Sequence, residues 1–251
     1  MRRIEKLFKE KKPYIGYLTA GDGGMQRTLE AAQALVAGGV DLLEVGIPFT
    51  DPIADGPVIQ DAMERALHAG TTPESVLTFV SDFRKSSDVP IVLFSYYNPI
   101  FKGGKGFLKK AAKAGVDGIL IVDLSLEEGA DFQKHAKEMG LDTIFLVAPS
   151  TPEKRIQKIA KVSSGFIYYV SRRGTTGTKN DLPEDLGEKV QTIKLHTSLP
   201  VVVGFGISSN DMTRKILQVA DGFVVGSYLV DAIGSGKSVQ ELTQLTRGLV
   251  P

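Results

Sequence analysis

Eight short apolar runs, separated by stretches of helical periodicity, constrain this 251-residue chain more than any other feature. They are Tyr14 to Thr19, Leu42 to Gly46, Ile91 to Ser95, Gly118 to Val122, Thr143 to Val147, Phe166 to Val170, Val201 to Gly204 and Gly222 to Val225. Each is continuous rather than alternating, as expected of parallel strands covered on both faces. Between them, apolar residues step by fours and threes, as in Phe107/Ala111/Ala114 and Met212/Ile216/Val219, the spacing of one helix face. The junctions repeat too. Gly39-Val40-Asp41, Gly115-Val116-Asp117 and Gly140-Leu141-Asp142 each place a helix-ending glycine just before a strand. Val89-Pro90 and Leu199-Pro200 open two further strands. Thr72-Pro73 and Thr151-Pro152 read as N-caps followed by proline, and Ser208 to Asp211 as a capping box. An eightfold strand–helix alternation of this length predicts an α/β fold, a single (β/α)8 TIM barrel with residues 1–251 as one catalytic domain. The pattern alone leaves an open doubly wound sheet as the alternative.

One segment departs from the alternation. After the second strand, Ile47 to Pro57 carries three prolines and two aspartates and leads into an additional helical stretch, Val58 to Leu67, before the helix Pro73 to Phe83. A held loop at the carboxyl end of a barrel strand lies on the face where such folds do chemistry.

Composition narrows the chemistry. Lys and Arg number 30 against 29 Asp and Glu, so no broad positive field draws nucleic acid or an anionic membrane. No apolar run approaches the ~20 residues that cross a bilayer, and the charged start is followed by no stretch of signal-peptide length, so a cytoplasmic enzyme is expected. The absence of cysteine excludes disulfides, thiol nucleophiles and thiolate metal sites. His68, His135 and His196 fall in helical stretches rather than at strand ends, and the inner strands hold no lysine, which disfavours a metal cluster or a Schiff base. Carboxylate acid–base chemistry without a metal or cofactor in this chain is left.

Glu44 lies within the run Leu42 to Gly46. Alternation directs Leu43 and Val45 towards the helices and Leu42 and Glu44 towards the barrel interior. A carboxyl there is costly unless paired or protonated, so its pKa is expected to rise, which suits proton exchange near neutrality. The alternative is a buried ion pair with a lysine. Asp55 reads either as a second functional carboxylate or as an Asx-turn residue, and Asp123 as a ligand contact or a helix cap. Glycines end three consecutive late strands, in Ser171 to Gly177, Gly204 to Ser208 and Gly226-Ser227. Together they offer bare backbone N–H groups and a helix N-terminus to a phosphate.

The stretch Leu43 to Gln60, with its core Glu44-Val45-Gly46-Ile47-Pro48-Phe49-Thr50-Asp51-Pro52-Ile53-Ala54-Asp55-Gly56-Pro57, closely resembles the signature of the tryptophan synthase α subunit family. Leu18 to Asp22, Tyr96-Tyr97-Asn98-Pro99, the Ser171-to-Gly177 loop, Gly204 to Ser208 and Gly226-Ser227 follow in that family's order. The resemblance implies retro-aldol cleavage of indole-3-glycerol phosphate to indole and glyceraldehyde 3-phosphate. It also implies an αββα heterotetramer whose β subunit carries pyridoxal phosphate and receives the indole. By motif position it implies Glu44 as general acid/base, Asp55 as the carboxylate on the indole N–H, and Tyr168 beside the substrate. It implies Tyr17, where relatives often carry Phe, with Leu120, Phe205 and Thr176 along the substrate. Gly177, Gly206, Gly226 and Ser227 match the phosphate site, and Pro48, Asp51 and Asn98 the partner contacts. The Arg172-to-Lys179 loop is a candidate lid. The chain departs from the family's usual pattern at Gly23-Gly24, Thr175 and Ser125.

Overall fold

The computed structural model describes residues 1–171, 182–204 and 206–251. Eight parallel strands close in sequence order into a barrel: β1 Tyr14–Thr19, β2 Leu42–Gly46, β3 Ile91–Ser95, β4 Gly118–Ile121, β5 Asp142–Val147, β6 Ile167–Val170, β7 Val201–Gly204 and β8 Gly222–Val225. β8 pairs back onto β1 through Tyr14↔Phe223, Ile15↔Val224 and Gly16↔Val225, so the open-sheet alternative is set aside. Twelve helices surround the barrel among the described residues. They are α1 Arg3–Glu10, α2 Met25–Ala37, α3 Pro57–His68, α4 Pro73–Phe83, α5 Tyr97–Phe101, α6 Gly104–Ala114, α7 Ala130–Glu138, α8 Glu153–Val162, α9 Leu186–Lys194, α10 Asn210–Val219, α11 Ser227–Gly234 and α12 Val239–Arg247. The additional stretch after β2 is α3, one residue longer at each end than expected. No helix among the described residues is long and apolar enough to cross a membrane.

Strand alternation sorts the apolar residues into two shells. Leu43, Val45, Ile91, Leu93, Ile119 and Ile167 face outward into the core shared with the helices. Ile15, Leu42, Val92, Leu120, Ile144, Phe166, Val202 and Val224 fill the interior. Each such side chain, fully withdrawn from water, contributes roughly 1.5–3 kcal/mol. The interior is shut at its amino end by α1. Ile4 and Leu7 insert into it, and the Phe8 ring lies 5.5 Å from that of Phe166. Arg2 pairs with buried Asp142, and Arg3 reaches Asp117 at 3.2 Å.

The repeated Gly-x-Asp junctions gain a second role here. Gly39, Gly115 and Gly140 do end their helices at positive φ. The aspartates of the first two junctions, and Asp221 after Ala220, then close the amino end of the preceding strand. Asp41 Oδ2 accepts the Tyr14 N–H at 3.0 Å, and Asp117 Oδ2 accepts that of Ile91 at 2.8 Å. Asp221 serves Val201 likewise at 2.9 Å. A first strand residue needs an acceptor for a donor that would otherwise be buried unpaired. Asp117 is itself held by Arg84 at 2.6 Å.

The caps differ from expectation in detail. Thr72 forms a full capping box with Ser75. The eighth helix begins at Glu153, with Pro152 at the N-cap, because the Thr151 hydroxyl is spent accepting the Ala148 N–H at 2.9 Å. Ser209 caps α10 by accepting the Met212 N–H, but the third helical residue is Met212, so no side chain returns the bond.

Candidate active site

At the carboxyl end the packed interior gives way to a cavity of about 240 Å³. Its walls are apolar, from Ile59, Phe94, Val122, Leu146, Val170 and Val224, and its polar groups come from Tyr17, Glu44, Asp55, Tyr168 and Ser227. The structure thus brings both candidate carboxylates into one space.

Glu44 points inward from β2, opposite Tyr17 in the β1 register and Val92 in the β3 register. It is 1% exposed, and its Oε1 is buried with no hydrogen-bond partner. Among the described residues no lysine or arginine pairs with it, so the ion-pair alternative fails there. Desolvation alone lifts its carboxyl from 4.5 to about 8.

Asp55 arrives from the other direction, on the loop between β2 and α3. The loop is held rather than floppy. Ile53 N–H bonds the Asp51 carbonyl at 2.9 Å, Asp55 N–H bonds Pro52 at 3.0 Å, and the Gln60 amide reaches back to the Asp55 carbonyl at 2.8 Å. The Tyr96 hydroxyl donates to Asp55 Oδ2 at 2.6 Å while accepting the Ala54 N–H at 3.0 Å. Burial raises the Asp55 carboxyl, and the Tyr96 hydrogen bond opposes that rise. Two similar carboxyl groups therefore sit in different states of solvation, one without a partner and one anchored.

Tyr17 and Tyr168 flank Glu44 in matching ways. Each leans over a glycine of the following strand. A Cβ on Gly46 would lie 2.1 Å from the Tyr17 hydroxyl, and one on Gly204 2.2 Å from that of Tyr168. Burial, then the nearby carboxylates, pushes both phenols well above their ordinary range, so both stay protonated. The Tyr17 hydroxyl has one long contact, 3.4 Å to Thr19 Oγ1, and its ring meets Phe94 edge-on at 5.4 Å.

Gly206 and Gly226 line the same cavity with Ser227. Gly206 takes φ +71°, a conformation that side chains rarely adopt. Gly226 is the N-cap of α11, and the first helical bonds run from Leu229 and Val230 to its carbonyl. The amides of Ser227 and Tyr228 are then free of the helix's own bonding and carry its positive end.

Not every expected residue is gathered in. Leu120 faces inward but lies one layer lower, fully buried with Ile144 and Phe166, and does not line the cavity. Pro48 is buried within the chain, whereas Asp51 and Asn98 are exposed at the rim. Asp123 is exposed, and its Oδ1 accepts the Tyr97 N–H at 2.7 Å, capping α5 rather than the helix after its own strand. Thr176, Gly177, Phe205 and the Arg172-to-Lys179 loop lie outside the described residues. Sequence reading assigns Tyr96 no role; a tyrosine directly after the strand Ile91–Ser95 is the signal it offers. Among the described residues no group of three or more His, Asp or Glu is placed to hold a metal ion.

The comparisons with known proteins agree with this geometry. The family model described as tryptophan synthase alpha chain matches residues 4–248. The tryptophan synthase alpha chain of Coxiella burnetii (strain CbuK_Q154) is 49% identical over 251 residues, covering 100% of this chain and 98% of its own. That of Chlamydia felis is 44% identical, covering 100% and 99%. Among solved structures, an Aquifex aeolicus VF5 protein superposes with TM-score 0.92 at 37% identity over 99% of this chain and 98% of its own. A chain of the tryptophan synthase complex from Pyrococcus furiosus gives 0.88 at 40% identity over 95% and 98%. On a match that runs nearly end to end, the chain belongs to the tryptophan synthase alpha chain family.

Proposed function

We propose that this chain, working as one barrel domain in the cytoplasm, cleaves indole-3-glycerol phosphate to indole and glyceraldehyde 3-phosphate. The observation that carries the reading is the unpartnered Glu44 carboxyl facing a cavity whose other carboxylate, Asp55, is anchored. Retro-aldol cleavage needs one mobile proton carrier and one fixed anion. Glu44, protonated near neutrality, delivers its proton to indole C3. Asp55 accepts a hydrogen bond from the indole N–H and stabilises the positive charge that C3 protonation creates at nitrogen. Glutamate, now ionised, takes the proton of the side-chain hydroxyl as the carbon–carbon bond breaks. Its electron pair returns to the indole ring, the hydroxyl carbon becomes the aldehyde, and Glu44 ends protonated as it began. Tyr168 and Tyr17 bound the reacting atoms, and the backbone at Gly206, Gly226 and Ser227 holds the phosphate.

The same reading gives the chain a β subunit carrying pyridoxal phosphate, in an αββα assembly that receives the indole. The Pyrococcus furiosus chain comes from a tryptophan synthase complex, which supports such a partner. Exposed Asp51 and Asn98, with the neighbouring apolar side chains of Ile53 (81% exposed) and Phe101 (63% exposed), give the rim a surface suited to it. The test is indole release from indole-3-glycerol phosphate by the purified chain, alone and mixed with its cognate β subunit. Release that rises on mixing is expected, and no release under either condition would reject the reading.

A further inference from the structure

Outside the cavity, one buried charge on the carboxyl rim has a partner that the reaction does not explain. Asp22 follows β1 in Thr19-Ala20-Gly21-Asp22 and is 4% exposed. Arg65, near the end of α3, grips it with a two-pronged fork, Nε to Oδ1 at 2.7 Å and Nη2 to Oδ2 at 2.9 Å. Neither residue lines the cavity. The fork rests on α11, where a Cβ on Gly234 would come within 2.5 Å of Arg65 Nη2. Three segments therefore meet at one ion pair. α3 begins two residues after Asp55, and α11 begins at the Gly226 cradle.

We propose that the Asp22–Arg65 pair is a positioning device that fixes the axial placement of α3, and with it Asp55, relative to Glu44 on its strand. This rests on the reading of Asp55 as the fixed anion. Gln60 ties α3 only to its own adjoining loop, and Tyr96 holds that loop at Asp55 and Ala54; against the barrel the body of α3 is held by apolar contact, Ile59, Ala62 and Met63 clustering with Tyr17, Tyr96 and Val230. Apolar burial is non-directional, so it keeps a helix face covered without setting where the helix sits along its axis. A bidentate guanidinium–carboxylate pair has fixed geometry and supplies that setting. A rod about 18 Å long carries a shift at Arg65 to its other end.

The test uses Arg65→Ala, Arg65→Lys and Gly234→Ala, read by amide hydrogen exchange, thermal unfolding, indole release and titration with inorganic phosphate. In Arg65→Ala, the amides of Asp55, Ile59 and Gln60 should exchange faster while those of Leu229 and Val230 in α11 hold. The kcat should fall about tenfold, as an ångström-scale misplacement does, with phosphate affinity changed by less than about twofold. Lysine keeps the charge without the fork and should recover only part of kcat. Gly234→Ala tests the fork without replacing Arg65. Arg65 can avoid the new methyl only by giving up the fork, which leaves buried Asp22 unpaired, so kcat should drop together with the melting temperature. Unchanged exchange around Asp55, or a lower melting temperature with full kcat, would reduce the pair to a structural brace and overturn the proposal. A wild-type chain that releases no indole would reject the lyase reading instead, and the exchange measurements would still decide whether the pair places α3.

Discussion

Replacing Glu44 with Gln should make the protein more resistant to unfolding at alkaline pH, by an amount set by the missing partner of Oε1. Glutamine keeps the shape of the side chain and is neutral at every pH. Burial raises the Glu44 carboxyl from 4.5 to about 8. At about 1.4 kcal/mol per pH unit, that rise corresponds to roughly 5 kcal/mol, comparable to the whole stability of many domains. Between those two values the folded state holds a proton that the unfolded chain has released. Stability from this group is therefore present in full below 4.5, falls as pH rises, and is lost above about 8. The variant has no such slope. Its stability minus that of the wild type should climb with pH by up to about 1.4 kcal/mol per unit and level off near pH 8. Urea unfolding of both proteins at matched pH values measures this, since all other titrations cancel in the difference. A gain of about 3 kcal/mol or more between mildly acid and alkaline conditions is expected. A difference that stays flat would refute the reasoning, because it would mean that the carboxyl finds solvent or a counter-charge. The same variant should lose indole release by about 10²- to 10⁴-fold through loss of its proton carrier.

Tyr96→Phe removes the hydroxyl on Asp55 Oδ2 and should cost about 1.5–3 kcal/mol, the range for a bond to a charged group, read as a lower urea midpoint together with reduced kcat. Gly46→Ala drives a methyl into the Tyr17 ring and should cost about 1–3 kcal/mol and raise KM. Tyr17→Leu in the same chain should restore part of the stability, and no recovery would show that the clash lies elsewhere. Arg84→Ala breaks a part-buried ion pair at the opposite end of the barrel, leaving Asp117 with Arg3, and should destabilise by about 1–3 kcal/mol in urea, with the turnover of the folded fraction unchanged.

The eight strands were legible because a buried parallel strand must be apolar on both sides, and nothing else in the chain is so continuous. The inward direction of Glu44 followed from alternation alone. Alternation gives the face of a residue but not its height in the barrel, which is why Leu120 was expected on the cavity and lies beneath it. α1 was missed although Ile4, Leu7 and Phe8 have helical spacing, since five charged residues among its eight conceal so narrow a stripe. The Gly-x-Asp junctions read correctly as helix ends. The clamping bonds of Asp41, Asp117 and Asp221 did not, because the acceptor serves a strand about 20 to 27 residues earlier, and no local pattern reports that. Tyr96 escaped for the same reason, standing 41 positions after Asp55. Pro48 looked like a contact residue from its place in a rim loop, but the loop folds it inward.

The plug formed by α1 and the filled layers above it make the site a blind well. Among the described residues the well opens at the carboxyl rim, so substrate enters and both products leave there. Throughput and endurance are therefore assigned to opposite ends of the molecule. Substitutions around Ile4, Phe8 or Asp117 can lengthen or shorten the life of the fold without touching the path that molecules travel. Substitutions at the rim alter traffic and leave most of the barrel's cohesion intact. Such a chain can be hardened from below without changing what passes at the rim.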